Sequence, residues 1–257
     1  MFTLTEIFQT LALGVLAYMC VWFCIALVLK RRDVVDSAWG LGFVLVAVMT
    51  YALRNNDSWT TAAALILTTV WGIRLCIHVT ARNWGKEEDY RYTQLGDIGT
   101  VKLWAKTFTN VFLLQGVLML LISLPVIAIM SSENTPVEVM ASIGAAVWLF
   151  GIVFEAIGDY QLRQFLKVKK KGQIMQSGLW RYTRHPNYFG EITAWWGAAI
   201  VALAYGQLWG LIGAATISLL ILKVSGIPLL EKRYAHDKEF QKYAKKTSVL
   251  IPLPPKH

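Results

Sequence analysis

Residues 178–191 read Gly-Leu-Trp-Arg-Tyr-Thr-Arg-His-Pro-Asn-Tyr-Phe-Gly-Glu and bring two arginines, a histidine, an asparagine and a glutamate into one short run. An apolar segment, 192–205, follows this motif directly, and a basic run, 167–171, precedes it. Because most of the remaining chain is apolar, these polar groups are expected at the mouth of a membrane-embedded helix. The 178–191 motif is therefore predicted to form a binding site at a membrane surface.

The composition is that of an integral membrane protein. Of the 257 residues, 56% are hydrophobic, and the aromatic residues comprise 11 Trp, 11 Phe and 10 Tyr. Several apolar stretches reach about 20 residues, the length that an α-helix needs to cross a hydrocarbon core of roughly 30 Å. Only helices or closed barrels satisfy their backbone in lipid, and these stretches lack the alternation of barrel strands. The chain is therefore predicted to be an all-α, polytopic membrane helical bundle that forms one domain, 1–257.

The net charge of +9 also fits a membrane protein. In a soluble chain this charge would suggest a nucleic acid as partner, but the cytoplasmic loops of membrane proteins carry an excess of Lys and Arg. No nucleic-acid partner is therefore expected. The cysteines Cys20, Cys24 and Cys76 lie inside apolar runs and are expected to be inert, and no metal site is predicted.

Seven transmembrane spans are predicted, with the N-terminus outside and the C-terminus in the cytoplasm. Of the 25 Lys and Arg residues, all but Arg54 and Arg74 fall on the predicted cytoplasmic side, in agreement with the positive-inside rule. The last two spans are predicted to form a tight antiparallel hairpin. The spans cover about 7–29, 36–53, 59–80, 107–130, 139–158, 188–206 and 206–222.

Ionisable residues within the spans are costly in lipid and usually face the interior of a bundle, so each is a candidate for function. Three sets share a helical face because their members are three or four residues apart. The sets are Asp33 with Asp36, Arg74 with His78, and Glu155 with Asp159 and Arg163. Together with Glu191, which opens the sixth span, they are expected to converge on a cavity that is open to the cytoplasm.

Each of these residues also has a plain structural interpretation. Asp36 and Arg74 could neutralise each other as a buried ion pair, and His78 could be an interior histidine satisfied by its neighbours. The lysines of 167–171 could form a solvated patch that meets lipid headgroups. The structural and the functional interpretations predict different partners for Asp36, Arg74 and His78.

The 178–191 motif favours a nucleotide-type ligand. Arginine and lysine side chains beside the start of a helix bind phosphate, and the free backbone N–H groups there assist them. Asn187 offers both a donor and an acceptor, which suits an amide or a ribose, and Tyr182 and Tyr188 could stack on a planar ring. No G-x-G-x-x-G or P-loop sequence follows a strand pattern, so a soluble-type nucleotide fold is not expected.

At this motif the chain resembles a superfamily of membrane enzymes that includes steroid 5α-reductases, sterol C14-reductases and isoprenylcysteine methyltransferases. The shared block is Gly-Leu/Trp followed by Arg-His-Pro-Asn-Tyr and Gly-Glu, with a tail like Glu231-Lys-Arg-Tyr, Phe240-Gln-Lys-Tyr and Ile251-Pro. The runs 33–40, 82–92 and 159–163 look reductase-like. The resemblance covers nearly the whole chain and looks nearest to the bacterial branch of the 5α-reductase-like proteins.

The resemblance implies an NADPH-dependent reductase of a C=C conjugated to a carbonyl in a lipophilic substrate, steroid-like or another lipid enone. NADPH would lie in a cytoplasmic-side cavity and be held mainly by the C-terminal half, about 138–257. The residues expected to bind it are Asp159, Arg163, Lys167, Arg181, Tyr182, Arg184, His185, Asn187, Tyr188, Glu191, Arg233 and Tyr234. The branch resemblance implies a bacterial inner membrane, or the endoplasmic reticulum of a eukaryote, with membrane lipids around the bundle.

Catalysis would need an acid that holds the carbonyl oxygen as negative charge develops on it. In steroid 5α-reductases a Glu of the second span and a Tyr of the third have this role, and Asp36 and His78 occupy roughly the matching places here. A protonated carboxylic acid or an imidazolium could each donate to the oxyanion. Because both residues depart from the family pattern, Tyr90 and Tyr92 in the loop after the third span are reserve candidates.

Two other functions remain open. A methyltransferase of the isoprenylcysteine type, which uses S-adenosylmethionine, shares the tail block and the Arg-His-Pro core. Its methyl donor has no phosphate, however, that would use the basic residues of 163–171. A non-enzymatic lipid-binding membrane protein would use its interior polar groups for folding only, so that changes of Asp36 or His78 would alter stability alone. The substrate and the oligomeric state are left open.

Overall fold

The computed structural model describes residues 2–54, 57–93 and 101–256, and within these ranges the chain is helical and contains no β-strand. This confirms the predicted all-α bundle. The first half contains α1 (Leu4–Leu29), α2 (Val34–Arg54), α3 (Trp59–Asn83), α4 (Tyr90–Thr93), α5 (Val101–Thr107), α6 (Leu114–Ile122) and α7 (Leu124–Ser131). The second half contains α8 (Glu138–Val168), α9 (Pro186–Ala204), α10 (Leu211–Leu219), α11 (Ile227–Tyr234) and α12 (Lys238–Lys246). The shorter elements are the π-helical segments Phe108–Leu113 and Leu220–Val224 and the 3-10 turns Gly178–Arg181 and Leu208–Gly210.

Six helical segments of the described chain are long and apolar enough to cross a membrane, and the protein is an integral membrane protein. This is one fewer than the seven predicted spans, because α9, the predicted sixth span, is not among them. The first turns of α9 contain Pro186, Asn187 and Glu191, which lower its mean hydropathy. The orientation of the two termini stays a prediction. The six segments are Leu4–Leu29, Val34–Arg54, Trp59–Asn83, Lys102–Ile122, Glu138–Val168 and Leu208–Tyr234.

The stretch predicted as one span, 107–130, is divided near Ser123. Pro125 has no N–H to donate to the carbonyl four residues earlier, so α6 ends at Ile122 and α7 begins at Leu124. Gly213 of α10 packs against this break, and a Cβ built on it would lie 2.5 Å from the Ile122 carbonyl oxygen. All residues of 124–130 are buried, so α7 belongs to the core of the bundle and does not face lipid.

Glycines bring α8 and α9 into backbone contact, the arrangement by which small residues let membrane helices approach closely. A Cβ built on Gly151 would lie 2.3 Å from the nitrogen of Ala194, and one on Gly190 would lie 2.4 Å from the nitrogen of Glu155. This contact, the glycine seam, places the C-terminal part of α8 beside the first turns of α9. The seam consists of Gly144, Gly151 and Gly158, which are seven residues apart on α8, and of Gly190 and Gly197, equally spaced on α9.

We expect Gly151→Val to lower the free energy of unfolding by about 1–3 kcal/mol, because its side chain would collide with the α9 backbone and force the helices apart. The measurement is the thermal unfolding midpoint of the detergent-purified protein. Val153→Leu is the matched control, since Val153 lies on the same helix but is exposed at the surface of the bundle. Equal midpoints for the two variants would show that the fold does not depend on the close approach.

Candidate functional site

The first part of the 178–191 motif folds back onto α8. The backbone N–H of Leu179 donates to Gln161 Oε1 at 2.8 Å, and Trp180 Nε1 donates to the carbonyl of Gly158 at 3.1 Å. Gly178 has a φ of +61°, a left-handed conformation that glycine adopts without strain. These contacts hold the start of α9 beside the C-terminal part of α8.

Arg74 of α3 binds two carboxylates of α8. Its Nη1 donates to Asp159 Oδ2 at 2.7 Å, and its Nη2 donates to Glu155, whose other oxygen accepts from Trp71 Nε1 at 2.8 Å. Glu191 of α9 lies close enough for its charge to act on Glu155, Arg74 and Asp159. We call these five residues the Arg74 cluster. The three carboxylates have more acceptor oxygens than Arg74 and Trp71 occupy, and Arg74 Nε is a buried donor without a hydrogen bond among the described residues. The cluster therefore suits a polar ligand with hydroxyl or amide groups.

The ion pair considered for Asp36 and Arg74 is wrong. Arg74 binds the α8 carboxylates, which the glycine seam holds near α3. Asp36, at the start of α2, instead pairs with Arg91 of α4. His78 lies one turn after Arg74, with its Nδ1 4.0 Å from Asp159 Oδ2, and so lies beside the Arg74 cluster. The shared face of the two α8 carboxylates, predicted from their spacing, is confirmed because both bind Arg74.

Asn187 presents an unused acceptor at the start of α9. Its Oδ1 is buried and makes no hydrogen bond within 2–54, 57–93 and 101–256. The backbone of Asn187 packs on α8, where a Cβ built on Gly158 would lie 3.2 Å from the Asn187 nitrogen. A buried acceptor left unpaired costs roughly 1–3 kcal/mol, a cost that a donor group of a ligand would remove. The Asn187 oxygen is therefore a candidate ligand contact.

A second polar group joins the start of α2 to α4. Tyr92 donates its hydroxyl hydrogen to Asp36 Oδ1 at 2.6 Å, and Arg91 Nη2 donates to Asp36 Oδ2, also at 2.6 Å. We call these three residues the Asp36 group. Burial, the negative charge of Asp36 and the hydrogen bond to it raise the pKa of Tyr92 well above its usual value. The hydroxyl therefore stays protonated at neutral pH and can donate. The side chain of Tyr90, the other reserve candidate, lies outside the described part of the chain.

Asp89 anchors the arginine of the Asp36 group. Its Oδ1 accepts from the Arg91 side chain and from the Arg91 backbone N–H, both at 3.0 Å. Burial on its own would raise the pKa of Asp89, but the hydrogen bonds from Arg91 outweigh burial and lower it. Asp89 therefore remains ionised at neutral pH and keeps Arg91 in place.

The turn between α1 and α2 holds the loop that precedes α4. Arg31 pairs with Asp33 at 2.8 Å, and Asp33 accepts from the backbone N–H of Asp89 at 3.3 Å. Arg32, which is only 1% exposed, pairs with Glu88 at 2.6 Å. Lys30, Arg31 and Arg32 form a basic triplet after α1 and are among the Lys and Arg residues that support the predicted topology. In the structure two of its members also tie down the segment that carries the Asp36 group.

The Arg74 cluster and the Asp36 group lie at the same end of the bundle. Arg82, near the end of α3, is close enough for its charge to act on both Asp36 and His78. Tyr188 of α9 is likewise within range of Arg82 and Arg91. The ionisable residues of α2, α3, α8 and α9 therefore converge, as their positions along the predicted spans indicate.

Arg184 ties the C-terminal tail to the motif. Its Nε donates to Glu231 at 2.8 Å, and its Nη1 donates to the carbonyl oxygens of Ala244 at 3.0 Å and Thr247 at 2.7 Å. His185 Nε2 lies 3.1 Å from the same Glu231 oxygen. We call this arrangement the Arg184 clamp. Arg184 was expected to meet phosphate, but the structure buries it and gives its guanidinium partners within the protein.

Further contacts fasten the tail beside the clamp. The backbone N–H of Arg184 donates to the carbonyl of Ser248 at 2.9 Å, and Tyr243 donates its hydroxyl hydrogen to the carbonyl of Trp180. Burial lowers the pKa of His185, although its hydrogen bond with Glu231 acts in the opposite direction. His185 is therefore mostly neutral at pH 7, and its role in the clamp is that of a hydrogen-bonding partner.

The other residues expected to bind the cofactor are more accessible. Tyr188 stacks on His185, with ring centroids 5.5 Å apart and an interplanar angle of 20°. Within the described ranges the structure records no hydrogen bond or ion pair for Arg163, Lys167 or Arg181, so their charges are available to an anion. The exposed members of the expected set are Arg163, Lys167, Arg181, Tyr182, Arg233 and Tyr234.

Sequence reasoning missed four residues of the site, although three of them had a usable signal. Trp71 lies three residues before Arg74 and therefore on the same helical face. Glu231 opens the tail block that supported the family resemblance. Arg91 lies in the run 82–92, which also supported the family resemblance. Gln115 had no comparable signal, because its partner Tyr92 lies on a different helix.

The chain matches one protein family and is similar to several curated proteins. The family model described as "Protein of unknown function (DUF1295)" matches residues 22–247. The chain belongs to this family. It is also similar to "3-oxo-5-alpha-steroid 4-dehydrogenase 1" of Rattus norvegicus, Macaca fascicularis and Homo sapiens, with identities of 35%, 33% and 32% over 112 residues. Each match covers 43% of this chain and 40% of the relative, so the chain matches less than half the length of these curated proteins. The predicted resemblance to steroid 5α-reductases is confirmed.

Proposed function

We propose that the protein is a membrane reductase that uses NADPH to reduce a carbon–carbon double bond conjugated to a carbonyl in a lipophilic substrate. The observation that carries this proposal is a buried, protonated Tyr92 hydroxyl, held by Asp36 at the same end of the bundle as the Arg74 cluster. The hydroxyl suits a substrate carbonyl, and the acceptor-rich cluster suits a nucleotide cofactor. The similarity to proteins named as steroid dehydrogenases supports a site that binds a carbonyl substrate beside a nucleotide cofactor.

The residues around the start of α9 fit NADPH. Hydroxyl and amide donors of the cofactor would meet the carboxylates of Asp159 and Glu191 and the Oδ1 of Asn187, which accepts no hydrogen bond from the described residues. Its phosphates would meet exposed basic side chains, which S-adenosylmethionine would leave unused. Arg184 is left out of the proposed set because its donors are taken by the clamp. The proposed phosphate contacts are Arg163, Lys167 and Arg181.

The chemistry is divided between the cofactor and the Asp36 group. NADPH supplies a hydride when it is bound. Tyr92 would donate its hydroxyl hydrogen to the substrate carbonyl oxygen, where negative charge develops as the double bond is reduced. In the structure this hydrogen is directed at Asp36, so it must turn to the carbonyl when the substrate binds. Arg91 offsets the negative charge of Asp36, which would otherwise oppose charge on the oxygen.

His78 is the second candidate for the acid. It lies beside the Arg74 cluster, 4.0 Å from Asp159, and not in the hydrogen-bonded group that contains Asp36. This position favours Tyr92 as the donor to the carbonyl. The acid role expected of Asp36 becomes, in this proposal, that of positioning Tyr92.

We expect NADPH to raise the unfolding midpoint of the detergent-purified protein, NADH to raise it less, and S-adenosylmethionine to leave it unchanged. A ligand at about 100 times its Kd stabilises the native state by about 2.7 kcal/mol. Asn187→Ala should reduce the NADPH shift, because the buried acceptor is lost, whereas Asn110→Ala, at an exposed position, should retain it.

The other outcomes separate the alternative functions. A shift with S-adenosylmethionine alone would favour methyl transfer. Unchanged midpoints with all three ligands would contradict nucleotide binding and favour a lipid-binding protein without enzyme activity. Equal NADPH shifts in Asn187→Ala and Asn110→Ala would remove the α9 asparagine from the cofactor site.

A further inference from the structure

Gln115, the second residue of α6, reaches the hydroxyl of Tyr92. Its side-chain nitrogen Nε2 lies 3.4 Å from the Tyr92 oxygen. Tyr92 has one hydroxyl hydrogen, and that hydrogen is directed at Asp36 Oδ1, 2.6 Å away. Only the lone pairs of the Tyr92 oxygen are therefore left to face Gln115. The amide of Gln115 must present its NH2 group to them, which determines the orientation of the amide.

The other end of this amide has no hydrogen-bond partner among the described residues. Gln115 Oε1 is buried and accepts no hydrogen bond from any described residue. Few polar atoms in protein interiors are left in this state, because each costs about 1–3 kcal/mol. A turn of the amide would not relieve the cost, since Nε2 would then lose Tyr92. Gln115 thus holds an open acceptor next to the hydroxyl that is proposed to bind the substrate carbonyl.

The helix just before this residue has features of a binding site. Phe108–Leu113 form a π-helix, and such wide turns within α-helical segments are frequent at functional sites. Thr107, at the start of the π-helix, is 1% exposed and has a hydroxyl without a hydrogen bond among the described residues. Phe108 and Phe112 pack against Phe23 of α1, with ring centroids 5.0 Å and 5.3 Å apart. An apolar wall beside open polar atoms suits a lipophilic molecule with a polar end.

We propose that Gln115 is a substrate-recognition residue, whose Oε1 accepts a hydrogen bond from a hydroxyl or N–H group that the substrate carries on the atom next to its carbonyl carbon. This inference rests on the proposed function, because it requires Tyr92 to bind the carbonyl oxygen. The two ends of the amide share one carbon atom, so the ligand groups at Tyr92 and at Oε1 must be close neighbours. A lipophilic α-hydroxy enone has this pattern, whereas a plain enone leaves Oε1 unpaired.

The test compares a 3-oxo-4-ene steroid with its 2-hydroxy derivative, which adds a hydroxyl to the carbon next to the carbonyl. We expect the detergent-purified full chain to bind the hydroxylated probe about tenfold more tightly in an equilibrium assay with radiolabelled steroid. Gln115→Leu, similar in size but without an acceptor, should bind the two probes equally. Val117→Ala, exposed on the same helix, is the control for changes in α6.

Each outcome decides for or against the recognition role. Equal binding of the two probes by the unaltered protein, or a preference that persists in Gln115→Leu, overturns it. Binding of neither probe also counts against it. Because the assay contains no NADPH, its result is separate from that of the reductase proposal. A protein that prefers the hydroxylated probe but reduces neither with NADPH would uphold Gln115 and overturn the reductase, and reduction of both with equal kcat/KM would do the reverse.

Discussion

Tyr92→Phe is expected to lower kcat for enone reduction by about 10²–10³-fold, the usual loss when one donor to a developing oxyanion is removed. The substitution deletes the hydroxyl and keeps the buried ring, so the packing around α4 should persist. The measurement is the loss of NADPH absorbance with a 3-oxo-4-ene steroid as substrate. The NADPH-induced rise in unfolding midpoint should be retained, because the cofactor contacts proposed on α8 and α9 are untouched.

A matched control for this change is Tyr160→Phe. Tyr160 is exposed on α8 and has no part in the proposed site, so the loss of its hydroxyl should leave kcat unchanged. If Tyr92→Phe turned over as fast as the Tyr160 variant, the hydroxyl of Tyr92 would not hold the carbonyl. The acid role would then pass to His78, and His78→Ala would become the variant to measure.

Arg184→Ala is expected to lower the free energy of unfolding by about 3 kcal/mol and to release the tail from the motif. Removing one partner of a buried ion pair typically costs about 3–5 kcal/mol, and the lower end applies because Glu231 is 27% exposed. The carbonyls of Ala244 and Thr247 would lose their donor at the same time. The measurements are the unfolding midpoint and the rate of proteolytic cleavage in the 235–256 segment.

Arg181→Ala is the matched control for the clamp, since Arg181 is an exposed arginine of the same motif. Its removal should leave the unfolding midpoint and the protease resistance of the tail unchanged and should weaken NADPH binding. A less stable Arg181→Ala that still binds NADPH as tightly as the unaltered protein would contradict the phosphate role of Arg181 and its use as the control for the clamp. A stable Arg184→Ala that no longer binds NADPH would return Arg184 to the phosphate site.

The helical spans could be predicted because their cause is local. Each long apolar run must satisfy its own backbone in lipid, and a helix does so without help from the rest of the chain. The two departures from the prediction also have local causes. Pro125 breaks the predicted fourth span, and the polar residues at the start of α9 make that helix a less apolar segment than the run 192–205 suggested.

The site was predictable only where its residues share one helix. The spacing of Glu155 and Asp159 placed both on one face, and one arginine binds both. Partners on different helices depend on how those helices rotate and slide against each other, which spacing does not encode. For this reason the sequence suggested Arg74 as an ion-pair partner of Asp36, whereas the partner in the structure is Arg91. An arginine in a sequence also looks the same whether it binds a phosphate or, like Arg184, backbone carbonyls about 60 residues later in the chain.

The glycine seam has a consequence for how ligands enter and leave. Where two backbones touch directly, no side chain can rotate to let them part, so the distance between Asp159 and Asn187 is fixed by the helices themselves. The loop before α4 is held instead by side-chain ion pairs and a hydrogen bond, with no direct packing of one helix backbone on another in the described part of this segment. In the proposed reductase we therefore expect the substrate to enter on the Asp36 side, while α8 and α9 keep the proposed cofactor contacts at a fixed distance. Entry of the substrate would then leave the proposed cofactor contacts on α8 and α9 undisturbed.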